Sequence, residues 1–568
     1  MKRVLILTAA LAAAVVVLAV VSLPPARLTL EASFSDGTVP GIIHVHTNRS
    51  DGLSSPDEVA AAAARAGLKF LVLTDHGDAT RTPDPPVYRS GVLCLDAVEL
   101  STTEGHYLAL DMPPAPYPLA GEARGVVEDV KRLGGFGIVA HPNSPKPALS
   151  WSDWNTPFDA IEWLNPDTSW RVKVREPGWR ARWNIVAAVA GYPFRSPETI
   201  ARLLGNTALG VDRWESFAHA RRVVLLAGAD AHAKLALANV DPGDNSFALP
   251  IPGYEASFRT MSLHVQSDRP LTGDAVRDAT TIVQGLRRGH VYTAIDGLAS
   301  PPAFQFTATN ARGTAHEGDQ LEAGGPVTLH VRNNAPSSFL TVLWKDDKPI
   351  TTVSDQADIT QPVGDEAAIY RVEIITPRDR GLVPWIISNP IYVGMTFSSP
   401  VAQDRKPVSE SRPLFDGRTP SRWRIELDRT SVAVLDVVPV VGGAELRMRY
   451  GLSGGASAGQ YAALAVELPG GASTADRLAF TARAEHPLRL SVQFRMLGRG
   501  DRWQRSVYID EVARDHTVYF DEVQPVGVTG TPHPVARDIH DILFVVETTH
   551  TKPGSSGRLW IKVAALQN

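Results

Sequence analysis

The sequence predicts an α/β domain followed by two all-β domains, and three observations predict it. Between Gly41 and about Ala299, short apolar β-like runs alternate with helical patterns. From Pro301 to about Val393 that alternation gives way to short strands separated by Gly, Asn and Asp turns, the spacing of a small β-sandwich. Residues 396–413 are rich in Ser, Pro and charge and read as a linker, and 414–568 carry the strand pattern of a second sandwich or jelly roll. A chain of 568 residues is too long for one core and implies roughly three to four domains.

The elements follow in order. Lys2 and Arg3 precede an almost uncharged run from Val4 to Leu23, closed by Pro24 and Pro25. This is the pattern of an export signal, and its length also suffices to span a bilayer. Residues 1–23 therefore read as a cleaved signal peptide or a retained membrane anchor. Either way the rest lies outside the cytoplasm: periplasmic, secreted or anchored. The single cysteine, Cys94, excludes an intramolecular disulfide and a cysteine-type zinc site. A net charge of -5 leaves no evident nucleic-acid-binding surface.

The α/β domain, placed at 40–299, begins with a buried strand, Ile42-Ile43, that ends in His44-Val45-His46. Alternation on a strand points the two imidazoles to one side. After Asp51-Gly52, the run Ser55-Pro56-Asp57-Glu58 is a helix start, with Ser at the N-cap and Glu at N3. Gly67 suits the helix end. The next strand, Phe70 to Leu73, ends in Thr74-Asp75-His76.

This βαβ unit carries ligand-type residues at the C-terminal end of both strands, and the pattern recurs. Glu99 follows Val98, His106 opens an apolar stretch, His141 follows Phe136–Ala140, and Asp230-Ala231-His232 follows Val223–Ala227. In parallel α/β barrels this end of the strands forms the active site. A single histidine in such a place is more often structural than catalytic. Six, with Asp and Glu, at strand exits would leave many buried polar groups unsatisfied, and metal coordination resolves that cost. An imidazole and carboxylate set suits zinc, manganese or iron without choosing among them.

The series His44-x-His46, Ser50-Asp51-Gly52, Thr74-Asp75-His76, Glu99, Gly105-His106, His141-Pro142 and Asp230-x-His232 resembles the motif series of the PHP (polymerase and histidinol phosphatase) family over roughly 250 residues. The resemblance implies a distorted (β/α)7 barrel and two to three divalent ions. It assigns His44, His46, Glu99 and Asp230 to a first ion. A second would take Glu99, bridging, with His106 and His141, and a third Asp51, His76 and His232. Some relatives carry His where this chain has Asp51. The sandwich at 301–395, ending in Trp385 to Val393, is similar to the β-domain of exported members.

Such ions lower the pKa of bound water and supply hydroxide near neutral pH. The expected activity is therefore an exported metal-dependent phosphoesterase acting on a phosphomonoester or phosphodiester. Alternatives are a carboxyl-ester, carbamate or amide hydrolase with the same centre, and a non-catalytic cell-surface binding protein. Asp75 and Asp230 are the catalytic candidates, with Asp75 orienting His76 or taking a proton. Arg49, Lys146 and Asn143, close in sequence to ligands, are candidate substrate contacts or solvated surface groups. Glu162 and Asn165 lie near the expected rim and read as barrel structure ahead of site residues. The Trp-rich stretch 145–222 reads as a substrate wall or as packing of an inserted helical subdomain. The C-terminal domain resembles carbohydrate-binding modules, with Trp503 and Trp560 suited to sugar stacking or to core packing.

Overall fold

The computed structural model describes residues 23–568 except 32–33, 206–207, 237–246, 268, 378–382, 398–404, 416, 418–419, 456–458 and 498–499; before 23 it describes only 13, 16, 17 and 20. Most of the expected export segment, 1–23, and most of the first half of the linker at 396–413 lie outside the described residues. Among the described residues no helix is long and apolar enough to cross a membrane.

The α/β domain is built from two sheets. The first is mixed, with neighbours in the order β10, β9, β1, β2, β3. These are Val291–Ala294 (β10), Ser262–Gln266 (β9), Thr38–Val45 (β1), Phe70–Leu73 (β2) and Val92–Asp96 (β3). The second runs in the order β8, β7, β6, β5, β4: Val224–Ala227 (β8), Ala160–Leu164 (β7), Phe136–Val139 (β6), Gly105–Leu110 (β5) and Val98–Thr102 (β4). Nearly every residue of β1, β2, β6, β7 and β8 is buried, as continuous apolar runs in parallel strands require.

The first βαβ unit forms as its sequence dictates. Helix α1, Pro56–Ala66, starts with a complete capping box between Ser55 and Glu58 and ends at Gly67, whose φ of 89° is the left-handed cap. The strand–helix alternation then breaks. β4 and β5 are an antiparallel hairpin, because the two-residue link Thr103-Glu104 leaves no room for a helix. β5 is also antiparallel to β6, with helix α2, Ala123–Arg132, between them.

The two sheets meet twice, and both meetings lie at the ligand-bearing strand ends. On one side Ala229 donates to the Ile43 carbonyl and His46 to the Ala231 carbonyl, each at 3.0 Å. On the other, Glu99 donates to the Asp75 carbonyl at 3.3 Å and His76 pairs with Glu99.

The β-region after Pro301 shares a sheet with the α/β domain. Strand Ile386–Ser388 pairs antiparallel with β10. The Asn389 side chain hydrogen-bonds the backbone of Leu225 and Val291, and one apolar core runs from Val39 to Val393. A separate core from Phe415 to Leu566 fills the C-terminal domain, two six-stranded sheets face to face. Trp503 is fully buried in that core, because alternation on its strand turns it inward, so it is unavailable to a sugar. Trp560 stays half-buried on the outer face, with the Arg483 guanidinium 3.9 Å from its ring centre.

The C-terminal domain docks on α2. Buried Arg489 donates to the Gly125 carbonyl at 2.8 Å and to Glu128 at 2.7 Å, and lies 3.1 Å from Asp129. Buried Arg505 donates to Glu122 at 2.6 Å.

Candidate metal centre

Nine side chains converge where the two sheets meet: His44, His46, Asp51, His76, Glu99, His106, His141, Asp230 and His232. Their ligand atoms fall into four overlapping groups, each within 4.8 Å: His46, Asp51, His76 and His232; His44, Glu99 and His141; His44, His46 and Asp230; His76, Glu99 and His106. Glu99 is the hub. One carboxylate oxygen lies 2.7 Å from His106 Nδ1 and 3.0 Å from His141 Nε2, and the other 2.9 Å from His46 Nε2 and 3.2 Å from His44 Nε2. Asp230 Oδ1 lies 3.4 Å from His44 Nε2, 3.6 Å from His46 Nε2 and 3.5 Å from His232 Nδ1. His44, His46, Glu99 and His141 are deeply buried, while Asp51, His76 and His232 form the more open side.

Backbone conformation aims these groups. His44, His141 and Asp230 all have left-handed φ values, 62°, 29° and 48°. A β-strand continuing regularly would send each side chain elsewhere, so strain is held at three strand exits. Gly228 is needed beside them: a Cβ there would lie 1.6 Å from Glu162 Oε1.

The donor set fits divalent metal. Both ring nitrogens of His46 and Nδ1 of His76 are buried without a well-directed hydrogen bond, the nearest oxygens being carboxylates, Glu99 at 2.9 Å and Asp51 at 3.4 Å from His46 and Glu99 at 3.7 Å from His76. Poorly satisfied buried nitrogens are costly unless something accepts their lone pairs. Burial pushes the His46 imidazole below its ordinary pKa, which keeps it neutral and ligating. Burial alone would raise Asp230, but the imidazoles of His44, His232 and His141 outweigh it and hold the carboxyl below the usual range. The same opposition, led on the lowering side by His44, keeps Glu99 well below its ordinary value.

Asp75 takes a different place from the one expected. Its oxygens accept from the Thr47 N–H at 2.8 Å, the Ser50 hydroxyl at 2.7 Å and the Thr47 hydroxyl at 2.8 Å. It therefore pins the 47–52 turn that carries Asp51 and makes no hydrogen bond to His76. Arg49 is ion-paired with Asp84 and faces Asp96. Lys146 is exposed on the rim. Its ammonium pKa is lowered by burial and by the neighbouring charges of Arg171 and Arg175, and it senses Asp230. Asn143 is half-buried in the turn after His141.

Three further residues complete the centre. Glu162 accepts from the His141 N–H at 2.7 Å and lies 2.6 Å from His44 Nδ1. Asn165 caps helix α3, Pro166–Arg175, and its amide reaches Glu162 at 3.2 Å and Asp230 at 3.4 Å. The Tyr254 hydroxyl donates to the carbonyls of His46 and His232 at 2.8 and 3.1 Å. Glu162 was legible as a lone carboxylate inside an otherwise apolar strand. Nothing local marked Tyr254. Of the tryptophans in 145–222, Trp151 and Trp163 are core, whereas Trp179 is 73% exposed.

No family model matches the chain, and no curated protein matches it. Among solved structures, a two-domain protein from Bacteroides vulgatus containing a predicted PHP-like metal-dependent phosphoesterase aligns at 15% identity, over 65% of this chain and 98% of its own, with a TM-score of 0.29. A family 11 carbohydrate-binding module from Clostridium thermocellum, in complex with a β-1,3-1,4-mixed-linked tetrasaccharide, aligns at 13% identity over 28% of this chain and 95% of its own, with a TM-score of 0.23. An exo-β-agarase aligns at 12% identity over 28% of this chain and 25% of its own, with a TM-score of 0.21. At these TM-scores the alignments carry no weight for function, and the side chains of the centre carry it instead.

Proposed function

We propose that the protein is an extracytoplasmic metal-dependent hydrolase of phosphoesters, with its α/β domain a distorted seven-stranded βα barrel. The carrying observation is the convergence of nine imidazole and carboxylate side chains in four overlapping groups around buried His44, His46 and Glu99. Two or three divalent ions of the zinc, manganese or iron type, held by the groups above, would supply Lewis acidity and a lowered pKa for water.

The chain's own residues define the remaining chemistry. Against burial, the imidazoles of His44, His232 and His141 lower the Asp230 carboxyl, which favours its role as ligand or proton acceptor. Asn165 orients it from the outer side. Lys146, which senses the Asp230 charge, gives a phosphate a cationic contact that Arg49, engaged with Asp84, and Arg171, engaged with Asp167, do not. Extracytoplasmic placement follows from Lys2, Arg3 and the apolar run after them.

The test is a substrate panel on the full chain, loaded in turn with zinc, manganese and iron. Turnover of p-nitrophenyl phosphate or its bis-ester, lost in His44→Ala with folding retained, is the expected result. Turnover confined to carboxyl-ester or amide chromogens would move the reaction class while keeping the centre. Protein that binds no metal and turns over nothing would overturn the proposal.

A second proposal concerns the C-terminal domain. Trp560, on the outward face of its sheet beside Arg483, offers a ring to stack on a sugar. Retention on a β-glucan affinity gel that Trp560→Ala does not weaken would sink it.

A further inference from the structure

Helix α4, Trp179–Gly191, is apolar at exposed positions as well as at buried ones. Its inner side carries buried Ala187 and Gly191 and packs against α3 and α5, Ser196–Leu203. Its outer side carries Trp179, Trp183 and Val186, at i, i+4 and i+7, with Val189 beside them. These are exposed to 73%, 47%, 47% and 65%, and Phe194 just beyond the helix to 65%. The exposed apolar positions of such a helix need an apolar environment as the buried ones do. The patch also continues. The Tyr192 hydroxyl accepts the Gly253 N–H at 2.8 Å, which brings up the segment bearing exposed Leu249 and Ile251.

Two observations say what covers this face. The first is where the N-terminal apolar run arrives. Leu23 and Pro24 end that run and sit on the inner side of α4: a Cβ at Gly191 would lie 3.5 Å from Pro24 and 3.8 Å from Leu23, and Arg195 donates to the Pro24 carbonyl at 2.6 Å. No slack chain separates the run from the helix. The second is charge. Residues 166–195 hold six basic and two acidic side chains in a chain whose net charge is -5. Tryptophan with arginine on an apolar helix is the composition of a membrane interface.

We propose that α4 lies on the surface of an anionic lipid bilayer, with residues 4–23 as the anchor that brings it there. The proposal rests on that segment being retained, and it is independent of which bond the metal centre cleaves. Helix α3 links this face to the centre, since its cap Asn165 touches Glu162 and Asp230. Contact by α4 therefore fixes the height of the centre above the lipid.

The experiment places an environment-sensitive maleimide fluorophore on Val186→Cys in the full chain. Cys94 is buried and stays unlabelled. Val276→Cys, at a 64% exposed position on another helix, is the control. Both are reconstituted into vesicles of phosphatidylglycerol and phosphatidylcholine containing nitroxide lipid. A blue shift at 186, with about twofold more quenching than at 276, is expected. Equal, water-like emission at both sites in protein that floats with the vesicles overturns the contact while leaving the anchor intact. Protein that does not float overturns both. A blue shift that appears without lipid and grows with protein concentration assigns the face to a second copy and also overturns the proposal.

Discussion

Glu162 lies 2.6 Å from His44 Nδ1, and this contact turns the ring's Nε2 toward Glu99 and Asp230. An ionised carboxylate only accepts, so Glu162 takes the Nδ1 proton; against burial, the surrounding carboxylates of Glu162, Asp230 and Glu99 favour a protonated ring, and a bound metal would displace the Nε2 proton and take that lone pair. Glu162→Gln keeps the size but loses the charge that fixes the tautomer. Metal affinity is expected to fall about 10–100-fold, read by chelator competition. An unchanged affinity removes Glu162 from this role.

His46 separates folding from metal binding. Its ring is buried against Glu99 without a well-directed hydrogen bond, so removing it relieves a poorly satisfied polar group and partly offsets the cavity left behind. The metal-free melting temperature of His46→Ala should lie within about 3 °C of the parent. The rise in melting temperature on adding metal, a mass-action effect, should disappear. A large loss of metal-free stability would make His46 a packing residue.

Asp75 acts on the centre through the 47–52 turn. Asp75→Asn replaces one acceptor with a donor that faces either the Thr47 N–H or its hydroxyl. The expected consequence is about 10-fold weaker metal binding with an unchanged pH optimum of turnover. A shifted acidic limb of the pH profile would instead make Asp75 a proton-transfer group.

His264 predicts acid lability away from the centre. Its ring is buried between the hydroxyls of Thr38 and Ser262, stacked on Tyr292, and burial lowers its pKa to about 4 despite nearby Asp36. The folded value lies below the unfolded one, so the unfolded chain binds more protons beneath pH 6.5. The contribution to stability is full above that pH and is lost as pH falls toward 4. Melting temperature should drop by about 5 °C more between pH 7 and 5 in the parent than in His264→Gln.

Arg489 couples the C-terminal domain to α2. Arg489→Ala takes from buried Asp129 its cross-domain partner, leaving it Arg132 and Tyr117, while Glu128 keeps Arg505, a loss of about 1–3 kcal/mol. Because the two cores are separate, calorimetry should then show the C-terminal domain melting apart from the rest. A single unchanged transition would count against this coupling.

Much of the ligand set was legible because most of its members sit where an apolar run ends. His44, His46, His76, His141 and Asp230 follow strands whose burial is written in their composition, and the capping box at Ser55 marks the helix between the first two. The hairpin of β4 and β5 was not legible, since a two-residue link and an apolar strand fit either direction until the partner strand is known. Nor was the sheet shared between β10 and Ile386–Ser388, which makes one core of regions that composition separates.

By itself the sequence determined which atoms gather at the centre and which strands deliver them, because periodicity and burial are local properties of the chain. The tertiary structure alone decided what holds those atoms. Glu162 behind His44, Asp75 beneath the turn, Tyr254 across two carbonyls and Arg489 on α2 are partners 25 or more residues away. Such contacts depend on strand register and on the left-handed φ at His44, His141 and Asp230, which are set only when the two sheets meet.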